Sequence, residues 1–72
     1  MNSAIVVIDP EVLGGVPVFS GTRVPVSALF ENLADGMTLN DILDAFPTLS
    51  RELAVSALRE AELRLEHPQA IA

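Results

Sequence analysis

The chain has 72 residues, ten acidic against four basic side chains, one His, no Cys and a formal net charge of −6, and half of its residues are hydrophobic. A chain this short makes one domain, residues 1–72, and buries only roughly 60% of the surface its unfolded form exposes. It has no Cys for disulfides and one His, too little for a metal site, so association with another chain is the remaining support for so small a core, and a homodimer or an obligate complex with a partner protein is expected. The four cations are all Arg; a Lys-free acidic surface suits a basic protein better than a phosphate backbone.

In chain order, Ala4 to Ile8 is apolar and β-branched and reads as a buried strand, ended by Asp9-Pro10. Gly14-Gly15 makes a turn, and Val16 to Phe19 reads as a second extended segment. Pro17 has no N–H to give a ladder, so this segment is expected at an edge or paired through its other side only. Ser20-Gly21-Thr22 makes a second turn.

Pro25 suits the first position of a helix. Val26, Leu29, Phe30 and Leu33 then form one apolar stripe, with Gly36 as the left-handed C-terminal cap. Thr38 is a good N-cap for a second helix, Asp41 completes a capping-box variant, and Met37 with Ile42 form a hydrophobic staple. Leu39, Ile42, Leu43 and Phe46 repeat the stripe, and Pro47 ends it. Ser50 caps a third helix whose expected buried side is Ala54, Val55, Leu58, Ala61 and Leu65, ending at His67-Pro68. The layout is an extended β arm over 4–26, three helices over 27–66 and a frayed tail over 67–72. The fold class is mostly α, a three-helix helix-turn-helix bundle with a short N-terminal β arm, dimeric through the N-terminal strands.

The sequence suggests no catalytic, cofactor-binding or metal-ligating residue. His67 stands past the last helical turn, without a group to orient it for catalysis. The glycines lack the Gly-Lys-Ser/Thr ending of a phosphate loop, since there is no Lys. Arg23 either hydrogen-bonds turn carbonyls or a carboxylate such as Asp9, or contacts nucleic-acid phosphate or a partner's carboxylate. As a recognition helix, the third helix would present Ser50, Arg51, Glu52 and Ser56 to base edges. The candidate DNA-binding residues are therefore Arg51, Arg23, Ser50 and Ser56. Asp41 and Asp44, with Glu60 and Glu62, are the candidate contacts to a basic protein. No run approaches the ~18 apolar residues of a membrane span, and Met1-Asn2-Ser3 has no side-chain positive charge of a secretion signal. A cytoplasmic location is expected, without a membrane or small-molecule partner.

Together these residues resemble the family called domain of unknown function 433. The resemblance is carried by Asp9-Pro10, Gly14-Gly15, Pro17-Val18, Gly21-Thr22-Arg23-Val24-Pro25-Val26, Gly36, Phe46-Pro47, and Ala57-Leu58 through Ala61. Members of that family resemble helix-turn-helix proteins and are often taken as antitoxins. The resemblance implies a non-enzymatic role: binding and neutralising a PIN-like ribonuclease toxin, as in VapBC-type systems, with binding of operator DNA beside it. The alternative is a stand-alone helix-turn-helix DNA-binding regulator. Gly21, Thr22 and Arg23 carry over as signature residues of open role.

Overall fold

A computed structural model of the chain describes residues 5–67. Ala4 of the expected first strand and all but His67 of the expected tail lie outside the described residues. The elements are β1 (Val6–Val7), β2 (Val18–Phe19), α1 (Val26–Ala34), α2 (Leu39–Ala45) and α3 (Arg51–Glu66). The fold is mostly helical with a short N-terminal β arm.

β1 and β2 pair antiparallel within the chain, Val6 opposite Phe19 and Val7 opposite Val18. Both strands are shorter than the sequence suggests. An Asx turn follows β1: Asp9 Oδ1 accepts from the Glu11 N–H at 2.9 Å, and the Val12 N–H donates to the Asp9 carbonyl at 2.9 Å. A second tight turn follows, in which the Gly15 N–H donates to the Val12 carbonyl at 3.1 Å. Its two central residues, Leu13 and Gly14, have φ of 50° and 66°. A turn of this hand needs a positive φ at both, so an exposed Leu sits where Gly or Asn is at ease.

Contrary to the edge expectation, β2 lies inside the arm, because Val18 also bridges to Pro25 on its other side. Pro17 is tolerated because it precedes the strand and engages through its carbonyl, which accepts from the Val26 N–H at 2.9 Å.

α1 starts at Val26, so Pro25 is its N-cap and not its first helical residue. Its end is a Schellman motif. Gly36 has a φ of 98°, its N–H donates to the Leu33 carbonyl, and the Met37 N–H donates to the Asn32 carbonyl. α2 opens with a reciprocal capping box between Thr38 and Asp41. The Ser50 hydroxyl accepts from the Leu53 N–H at 3.1 Å and starts α3.

The core gathers Phe19, Val24, Leu29, Ile42, Leu49, Ala54 and Ala57, with Met37 and Leu39 among the side chains packed against it. β2, the Val24 segment, the three helices and the link at Leu49 thus contribute to one cluster, α3 through the small side chains of Ala54 and Ala57. Two expected core residues are displaced. Phe30 stands 36% exposed, and Leu65 stands 78% exposed. Leu65 keeps the helical phase of Ala54, Leu58 and Ala61, but the last fully buried residue of α3 is Ala57. The stripe therefore outruns what it packs on. Among the described residues no helix is long and apolar enough to cross a membrane.

Candidate functional site

The Gly-Thr-Arg segment is a turn that presents an arginine. Gly21 has a φ of 76°, and a side chain added there would meet nothing within 4 Å. The backbone angle, not crowding, therefore demands glycine. The Thr22 N–H donates to the Phe19 carbonyl at 3.0 Å, and the Thr22 hydroxyl donates to the same carbonyl at 2.8 Å. That hydroxyl also accepts from the Val24 N–H at 3.0 Å. The Phe19 N–H in turn donates to the Val24 carbonyl at 3.0 Å. One threonine oxygen thus closes the turn from both sides.

Arg23 stands next in the chain and is exposed. Its expected structural bonds are not made: among the described residues the guanidinium has no hydrogen bond or ion pair, and Asp9 spends Oδ1 on its own turn. Arg23 instead borders an open cleft of about 500 Å³ lined by Val7, Val12, Val18, Gly21, Thr22 and Thr48. The cleft joins the β arm to the α2–α3 link, with apolar walls and one cation.

The second candidate surface is the front of the α2–α3 unit. Arg51 lies at the first turn of α3 and donates through Nη2 to Oδ1 of Asn40 on α2. Asp44 lies one turn from Asn40 on the same exposed side of α2, and Glu52 follows Arg51. Ser50 uses its hydroxyl in the cap. Ser56 is exposed. Of the four DNA-contact candidates, Ser50, Arg51 and Ser56 lie along the start of α3, while Arg23 lies on the arm.

The four acidic candidates do not form one surface. Asp41 is engaged in the capping box, its carboxylate accepting from the Thr38 N–H at 3.3 Å. Asp44 is exposed beside it on α2. Glu60 pairs with Arg64 at 3.3 Å, with both side chains about half exposed. Glu62, two residues on, projects from a different side of α3, where it joins Val55, Leu58 and Arg59 around a shallow groove. Glu52, exposed and next to Arg51 in the chain, belongs to the same helix start.

The family model described as protein of unknown function (DUF433) matches residues 6–61, from β1 into the second half of α3. The chain belongs to this family. A curated relative is the uncharacterized protein y4eO of Sinorhizobium fredii (strain NBRC 101917 / NGR234), 44% identical over 48 residues. The match covers 67% of the chain but 22% of that protein, so the chain spans about a fifth of the length of the relative it matches. No solved structure matches.

Proposed function

We propose that this DUF433 chain is a non-catalytic antitoxin that docks on a basic, PIN-like ribonuclease toxin in the cytoplasm and blocks its RNA-binding side. The observation that carries the reading is the chemistry of the α2–α3 front. Where a DNA reader would offer cations to phosphate, Arg51 is drawn onto Asn40, the exposed Asp44 lies one helical turn from Asn40, and the exposed Glu52 follows Arg51 in the chain. A front of that sign repels a phosphate backbone and attracts a surface built to hold RNA. The docking set on this reading is Asp44 with Glu52, since Asp41 already serves its helix, Glu60 already serves Arg64, and Glu62 lines the groove with Val55, Leu58 and Arg59.

The test is co-purification of the tagged chain from its own cells, followed by an RNA-cleavage assay on the protein captured. A basic ribonuclease inhibited by equimolar chain is the expected result. Asp44→Lys with Glu52→Lys should weaken that inhibition at least tenfold. Full inhibition by the charge-reversed chain would remove the front from the docking site.

A second reading, a helix-turn-helix DNA regulator, draws on one feature. The seven-residue α2 and sixteen-residue α3 follow one another across a short link, in helix-turn-helix order. It predicts sequence-specific duplex binding at physiological salt that Arg51→Ala abolishes. An unaltered affinity in Arg51→Ala would end that assignment.

A further inference from the structure

The Arg23 cleft and the end of α3 are complementary, and one chain cannot join its own two parts. The cleft offers the half-buried Val7 and Val12, with the buried Val18 in its wall, and a guanidinium with no partner among the described residues. It therefore fits an apolar side chain accompanied by a carboxylate. The end of α3 has that chemistry. Leu65 is 78% exposed, and Glu62 and Glu66, both exposed, lie three residues before it and one after. At helical spacing these three share a face. The same face runs back to Leu58 and Val55 at the shallow groove around Arg59, so the apolar line continues from mid-helix to tip.

The cleft includes Thr48, two residues before the cap of α3. A helix of 16 residues spans about 24 Å, so Leu65 stands at the far end from its own cleft. The occupant that carries the matching chemistry is a second copy.

We propose that the Arg23 cleft seats the Glu62–Leu65–Glu66 end of α3 from a second copy of this chain, in a twofold dimer with two equal seats. Reciprocal seating closes the assembly, since each copy gives one helix end and one cleft. It differs from strand pairing between protomers, because β1 and β2 already pair within the chain. It is also independent of the toxin reading, which uses Asp44 and Glu52.

The experiment is sedimentation velocity on the purified full chain from about 1 to 100 μM, a range in which a specific dimer of ordinary affinity dissociates measurably. The unaltered chain is expected to dimerise. Arg23→Glu alone, and Glu62→Arg with Glu66→Arg in another chain, should each weaken self-association at least tenfold. Each would set like charges in both seats. Mixing the two variants should restore a dimer, since both seats then pair opposite charges.

Leu65→Asp, at an exposed position, should give a folded monomer by circular dichroism. A monomeric unaltered chain across the range would overturn the proposal. So would a dimer indifferent to Arg23→Glu, or a mixture of folded variants that stays monomeric.

Discussion

Among single residues, the arm depends on backbone angles that only some side chains tolerate. Gly21 at φ 76° has open space around the missing side chain, so Gly21→Ala tests the angle alone. It should cost about 1–2 kcal/mol in urea unfolding, the usual penalty for a left-handed L-residue. Arg23→Ala, two positions on, breaks no bond among the described residues and, measured where the chain is monomeric, should stay within about 0.5 kcal/mol of the parent. Equal losses at the two positions would mean that Arg23 supports the turn after all.

Leu13 is the converse case. It holds a φ of 50° and is 47% exposed, so its strain is offset by little burial. Leu13→Asn should therefore stabilise the chain, by about 0.5–1 kcal/mol, because Asn tolerates that region. A loss on this change would point to a packing role for the Leu13 side chain. The turns themselves were legible from Gly14-Gly15 and Gly21. The strain at Leu13 was not, because a leucine carries no signal for positive φ. The closing bonds of Thr22 were not legible either, since they depend on the path of Val24 back toward Phe19.

For the helices, local chemistry was readable where the partner is a few residues away. Thr38 with Asp41, Ser50 and Gly36 each act at the helix end where their sequence position suggests. Pro25 fell one position outside α1, the usual uncertainty of a helix boundary. Leu65 failed for a different reason. Periodicity says which face of a helix is apolar, but not where the neighbouring elements stop. α2 is only seven residues long against sixteen for α3, so it cannot line the whole of the longer helix.

The energetic consequence separates two residues that look alike in the pattern. Ile42→Ala removes a fully buried side chain and should cost about 2–5 kcal/mol. Leu65→Ala, measured where the chain is monomeric, should cost under about 0.5 kcal/mol. Comparable losses in the monomer would place Leu65 in the core.

For the whole molecule, charge decides more than shape. The net charge of −6 comes with four arginines, of which Arg51 and Arg64 are engaged by Asn40 and Glu60. The polarity of the chain was plain from composition; that Asn40 of α2 holds Arg51 was not, because that bond crosses the link between the two helices. A basic partner should feel this field before contact, so association with it should slow as salt rises. Between about 0.05 and 0.5 M salt the screening distance shrinks from roughly 14 to 4 Å, and the on-rate should fall by about an order of magnitude. Stopped-flow or surface-plasmon kinetics on the captured ribonuclease would measure it. In the Asp44→Lys, Glu52→Lys chain the on-rate should be lower at low salt and its salt slope flatter, while dissociation changes less if these acids lie at the rim of the contact. A slope unchanged by the double reversal would mean that steering comes from the chain's other acids, and that the α2–α3 front is not the face the partner meets first.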